Sequence, residues 1–207
     1  MKKLMTLALA IMASGCLLAA NADSTSLDSS ASNASNNSGS ATQNISSNPA
    51  WAAALAGSNW ISYADTGNPS DPGFVVVPNG TSVMFTQTFD LTGTITSATL
   101  TVLADDTTSV IVNGTTIFAA NLGGSYPTCS SVEIGCLATT EGTFNIAPYL
   151  VDGLNTISFD VYQEAGSSYG LDYAGTITTT PEPGVLLLLS SGLAGLGFMK
   201  TRRKLFS

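Results

Sequence analysis

From Ser82 to Asp90 the chain alternates Val83, Phe85, Gln87 and Phe89 against Met84, Thr86, Thr88 and Asp90. A period of two is the signature of a strand with one buried face. The same pattern returns in Thr96–Ala104, where Ala98, Leu100 and Val102 share a face, and in Leu154–Gln163, where Ile157, Phe159 and Val161 do. Ser109–Val112 and Thr115–Phe118 flank Asn113-Gly114, the dipeptide that best suits the two positive-φ positions of a tight hairpin. Thr143–Ile146 and Tyr169–Thr179 add further short strands. Gly, Pro, Asn and Asp separate these runs, and no long helical period interrupts them. The pattern predicts roughly eight or nine strands over residues 51–179, in an all-β domain of two packed antiparallel sheets. A helical turn near Trp51–Leu55 would open it.

The ends read differently. MKKLMTLALAIMASGCLLAANA, residues 1–22, has a basic start at Lys2 and Lys3, an apolar stretch over Leu4–Ala20 and the small-x-small sequence Ala20-Asn21-Ala22. This reads as a secretory signal peptide, expected to be helical while in the membrane, with Asp23 first in the mature chain. Ala13-Ser14-Gly15-Cys16 offers a rival lipoprotein reading, but Ala stands where Leu is usual and the apolar run continues past the cysteine. Residues 23–50 are almost wholly Ser, Asn, Ala and Thr, too poor in apolar side chains to offset ordering entropy, and they predict a disordered linker. Near the other end, Val185–Met199 is an uncharged apolar run. At 1.5 Å per residue it is about 22 Å long as a helix, short of a ~30 Å hydrocarbon core. Lys200, Arg202, Arg203 and Lys204 follow at once and can snorkel to the headgroups. A transmembrane helix over 185–199 is therefore expected, with the C-terminus cytoplasmic.

Charge sharpens this picture. The six basic residues are Lys2, Lys3 and that C-terminal cluster; His is absent. Residues 23–180 hold thirteen of the fourteen acids and no basic side chain, so the body carries about −13 at neutral pH. Such a body repels phosphate backbones, which excludes nucleic acid as a partner. Without His, Ser-His-Asp and Cys-His catalysis are unavailable. Two carboxyl groups would still suffice for a glycosidase, but Glu133, Glu141 and Glu164 sit in no acid/base motif. Ca²⁺ is the natural counter-ion wherever carboxylates converge.

Pro181-Glu182-Pro183, the apolar run and the basic tail together resemble the PEP-CTERM sorting signal of Gram-negative bacteria, over residues 180–207. The resemblance implies recognition by a membrane-embedded exosortase, cutting near the tripeptide, and delivery to the cell surface or extracellular matrix, often in biofilm-forming species. Before processing, the chain would sit in the inner membrane with its body periplasmic. A plain tail anchor is the competing reading. Physically, two prolines keep the tripeptide out of helix and sheet and present it extended, with Glu182 as its specific handle.

Three stretches, 85–118, 144–161 and 169–177, resemble in order and spacing the galactose-binding-like jelly roll of many carbohydrate-binding modules. The resemblance implies a jelly-roll β-sandwich and a non-enzymatic protein that binds polysaccharide. Aromatic rings stack on sugar C–H faces while carboxylates and amides take the hydroxyls. The candidate ligand residues are Trp60, Tyr63 and Asp65 at the start of the domain, Tyr126 in a loop, and Tyr169 with Asp172 at the last strand. Each has a plain packing role as its alternative. Asp105-Asp106, ending a strand, is read as turn chemistry before a cation or sugar site, and Asn113 as a turn residue. Cys129 and Cys136, six residues between them in an exported chain, predict one disulfide bracing that loop. Two further readings remain: a structural surface or biofilm protein of this fold without a sugar ligand, and a small glycosidase.

Overall fold

The computed structural model describes residues 22–122, 134–164, 166–181 and 192. The chain divides into two units. One is the body, Ser24–Thr179; the other comprises terminal residues nearly all outside the described set. The described residues form eleven strands: β1 Asp23–Asp28, β2 Ser35–Asn36, β3 Gln43–Asn44, β4 Ile61–Ser62, β5 Ser82–Leu91, β6 Thr94–Asp105, β7 Thr107–Val112, β8 Thr115–Phe118, β9 Gly142–Asn145, β10 Gly153–Tyr162 and β11 Gly170–Thr180. A short 3-10 turn, Ala147–Tyr149, links β9 to β10.

They build two sheets. One runs β2-β5-β10-β7-β8, with every pairing antiparallel. The other runs β3-β4-β11-β6-β9, and β1 also pairs with β11. The alternation read from the sequence decides which faces meet. Val83, Phe85, Ile157, Phe159, Val161, Val110 and Val112 point inward from the first sheet. They pack on Ala98, Leu100, Val102, Leu171, Tyr173 and Ile177 of the second. Phe159 stacks on Tyr173 across the layers, with ring centroids 4.5 Å apart. Each such fully buried side chain is worth about 1.5–3 kcal/mol of transfer free energy. This is the antiparallel β-sandwich expected from the pattern.

The hairpin follows its sequence signal. Asn113 (φ 47°) and Gly114 (φ 79°) form the two-residue turn between β7 and β8. Asn113 also ties this end together. Its Nδ2 donates to Tyr149 O (2.9 Å) and Asn155 Oδ1 (2.8 Å), and its Oδ1 accepts Thr156 N (2.8 Å). Elsewhere β11 approaches β6 so closely that a Cβ on Gly175 would stand 2.7 Å from Thr99 O.

The expectation of a disordered linker over 23–50 is corrected. Residues 22–50 are ordered: β1 adds to β11, β2 to β5 and β3 to β4. Leu27 is wholly buried, and Ala34 joins the core. Composition undercounted the stabilisation because it weighs apolar burial alone. Sheet edges offer unpaired backbone groups that a polar strand can satisfy. The short side chains add their own bonds, such as Asn44 Oδ1 accepting Ala31 N (2.8 Å) and Asn37 Oδ1 accepting Met84 N (2.9 Å).

Among the described residues no helix is long and apolar enough to cross a membrane. The expected signal peptide, save Ala22, and the expected membrane helix over 185–199, save Gly192, lie outside them. So do Tyr126, Cys129, Glu182, Pro183 and the basic cluster Lys200, Arg202, Arg203 and Lys204. Cys136 is disulfide-bonded.

Candidate functional site

The pairing of Leu171 with Ile61 sets residues 60–63 against 169–172. It gathers four of the six candidate ligand residues, but most of their surface faces inward. Trp60 is buried on the outer side of the six-stranded sheet, in a second small core with Trp51, Leu103 and Cys136. Trp51 and Trp60 lie 4.4 Å apart, and the chain of residues 45–60 closes over them. Tyr169 is buried in the main core, its hydroxyl donating to Val161 O (2.7 Å). Burial pushes its phenol, and that of Tyr173, far above the usual tyrosine range. Tyr63 meets Tyr169 edge-on at 5.9 Å and is half-buried; Asp65 is half-buried nearby.

Asp172 is a staple. It is fully buried; Ser58 Oγ (2.5 Å) and Leu55 N (2.8 Å) donate to it, and Ser29 Oγ lies 2.8 Å away. It fastens the N-terminal segment and the covering loop to β11. The expectation of Trp60, Tyr169 and Asp172 as ligand contacts is therefore corrected. Their apolar bulk and their donors are consumed in closing two cores, and none presents a face to a sugar ring.

Asp105 and Asp106 are also inside. Asp105 Oδ2 accepts Trp51 Nε1 (2.8 Å), and Asp106 Oδ2 accepts the backbone N–H of Glu164 (2.8 Å). Burial raises the Asp105 carboxyl well above the usual carboxylate range; its hydrogen bond to Asp106 and that group's charge add to the rise, against the Trp51 bond. Neither is left to solvent: Asp106 takes the backbone bond and Asp105 the indole.

What the outer face leaves open is a groove. Beyond the lid of residues 45–60, the six-stranded sheet carries a depression of about 450 Å³. Ser26 and Asp28 of β1 form one wall and Thr99 and Thr101 of β6 the other; Ala174, Gly175 and Thr176 of β11 are the floor. Ala56 and Gly57 make the rim. The geometry follows from alternation. Leu27, Leu100 and Tyr173 turn into the core, so their neighbours on each strand must turn outward. The outward set is small and hydroxylated, so nothing fills the space. The hydroxyls of Ser26, Thr99 and Thr176 make no hydrogen bond with the described residues. Asp28 Oδ2 accepts Asn33 Nδ2 (2.7 Å), and Oδ1 faces no donor among them.

Sequence reading missed Ser26 and Asp28 because they lie in the stretch taken as disordered. The available signal was the period-two run Thr25, Leu27, Ser29, whose exposure falls in step. It also passed over Tyr149. Among the described residues this is the one aromatic more than a third exposed, and it stands beside the exposed Val151 and Leu154.

No family model matches this chain, and no curated protein does. Solved structures do. A Streptomyces avermitilis α-L-rhamnosidase complexed with L-rhamnose is 23% identical over 62% of this chain and 11% of its own, with a TM-score of 0.47. A family 35 carbohydrate-binding module from Clostridium thermocellum is 15% identical over 73% of this chain and 97% of its own, with a TM-score of 0.41. An exo-β-1,3-galactanase from Phanerochaete chrysosporium is 16% identical over 75% of this chain and 29% of its own, with a TM-score of 0.33. The chain thus spans about a tenth of the rhamnosidase, and these are likenesses of outline at low identity.

Proposed function

We propose that this chain is an exported, non-enzymatic surface or matrix protein whose β-sandwich binds a polysaccharide along the outer groove. The observation that carries the reading is the groove itself. It is open, about 450 Å³, and walled by one carboxylate and by hydroxyls, of which those of Ser26, Thr99 and Thr176 bond to no described residue. Hydroxyl and carboxylate groups spaced along a strand face suit the repeated hydroxyls of a polymer chain. The resemblance to galactose-binding-like jelly rolls points the same way.

Localisation belongs to the same proposal. The signal-peptide pattern would export the body. The Pro181-Glu182-Pro183 tripeptide, apolar run and basic tail would hold it in the inner membrane until an exosortase releases it toward the surface.

Retardation in gels cast with neutral glucans, galactans or xylans tests the binding. One polymer should slow the protein, and Thr101→Trp, which fills the groove from β6, should abolish the effect with the fold intact by circular dichroism. Retardation unchanged by the substitution refutes the groove as the site. For sorting, replacing Pro181-Glu182-Pro183 by alanines should leave an unprocessed, membrane-bound precursor in cells that contain an exosortase. Normal processing of that variant would refute the sorting reading.

A further inference from the structure

The class of polymer can be narrowed, on the premise that the groove is the binding site. We infer that the groove takes a glycan carrying free amines, such as a polymer of de-N-acetylated hexosamine, with an ammonium group seated on Asp28.

Three observations carry this. First, Asp28 is the one charged residue on the groove wall, and one of its oxygens is already oriented by Asn33 Nδ2 at 2.7 Å. The other accepts nothing from the described residues, so it is a fixed acceptor with room for a donor. Second, the surrounding field has a single sign. Between Lys3 and Lys200 the chain has no Lys, Arg or His, while thirteen acids lie in 23–180. A uronate or sulfated polymer would meet that field with no counter-charge in the body, whereas a cationic one is drawn in. Third, the rest of the lining is made of hydroxyls and small residues: Ser26, Thr99, Thr101 and Thr176 over a floor of Ala174 and Gly175. These match the hydroxyls of a flat sugar chain but offer no anion-binding group. A charge-assisted bond is about twice as strong as a neutral one, so Asp28 would set the preference and the hydroxyls the fit.

The test uses the full-length chain in a non-ionic detergent and isothermal titration with three probes of equal length. They are a β-1,4-linked glucosamine hexamer, its fully N-acetylated counterpart and a hexauronate. The glucosamine hexamer should bind at least tenfold tighter than the acetylated one, and the hexauronate should not bind. Asp28→Asn should remove that preference, so that the two hexamers bind the variant with equal affinity. Thr99→Trp should block both hexamers; Ser26→Trp, from the opposite wall, is the second blocking variant should the first disturb the fold.

Equal affinity for both hexamers, blocked by Thr99→Trp, would overturn the amine preference and leave the groove as the site. Glucosamine binding indifferent to Asp28→Asn and to both blocking variants would be general attraction to an acidic surface, and would sink the inference and the groove together. So would the absence of binding by either hexamer.

Discussion

Replacing Asp172 by Ala separates a structural carboxylate from a ligand-binding one. In the protein this side chain is fully buried and takes hydrogen bonds from Leu55 N at 2.8 Å and Ser58 Oγ at 2.5 Å, with Ser29 Oγ at 2.8 Å. The three donors are not equally exposed to its loss. Ser29 Oγ also lies 2.7 Å from Asn59 O, and Ser58 Oγ 2.9 Å from Leu55 O, so both hydroxyls have a second acceptor. The backbone N–H of Leu55 has no second acceptor among the described residues and would be left unsatisfied. A lost bond to a charged acceptor costs about 1.5–3 kcal/mol, and removing a buried charge returns part of it. The expected loss is therefore about 2 kcal/mol. Equilibrium urea unfolding with the disulfide intact measures it. The chain has two tryptophans, Trp51 and Trp60, and both lie under the segment that Asp172 fastens, so their fluorescence reports this region. With a denaturant slope of about 2 kcal/mol/M, the midpoint should fall by about 1 M. Polymer binding at the groove should be retained under native conditions. A midpoint shifted by less than about 0.2 M, with polymer binding lost, would refute the reasoning and return Asp172 to the ligand site.

Two further perturbations test the end and the interior of the sandwich. Because the folded protein holds the Asp105 proton to a higher pH than the unfolded chain does, stability from this group is full below the unfolded carboxyl range near pH 4. It is lost as pH rises toward the raised folded value. Asp105→Asn keeps a partner for Trp51 Nε1 without an ionisable proton, so urea midpoints at pH 4, 5.5 and 7 should fall less steeply with pH than in the native protein; parallel slopes would contradict this assignment. Asn113→Ala combines a positive φ with the loss of three hydrogen bonds and should cost about 2–3 kcal/mol in thermal or urea melts. Asn113→Gly keeps the turn geometry and should cost about 1 kcal/mol less; equal losses would show that the bonds alone matter.

The long strands were legible because each carries its own signal. Val83, Phe85 and Gln87, or Ile157, Phe159 and Val161, repeat at the period of a strand, and the dipeptide Asn113-Gly114 has few other uses. These are local facts, set by the geometry of a pleated backbone. The two-residue strands at 35–36, 43–44 and 61–62 had no such signal. They exist because β5 offers a backbone partner to 35–36, β11 to 61–62, and 61–62 in turn to 43–44, and a partner contributed by a distant strand leaves no trace in local composition.

The candidate site was legible only in part, for a related reason. Alternation says that Trp60 and Ile61 point opposite ways, but not that residues 45–60 will lay a second cover over the outer face. That cover turns Trp60 and Asp172 from surface groups into buried ones. Where it stops, Thr99, Thr101 and Thr176, unremarkable as residues, become the wall and floor of a groove. The sequence by itself determined the strand period, the hairpin, the absence of cations between Lys3 and Lys200 and the succession of Pro181-Glu182-Pro183, apolar run and basic cluster, all properties of neighbours along the chain. The tertiary structure alone decided which polar faces stay open and which carboxylates become staples, because burial depends on what residues far away in sequence bring to lie on top.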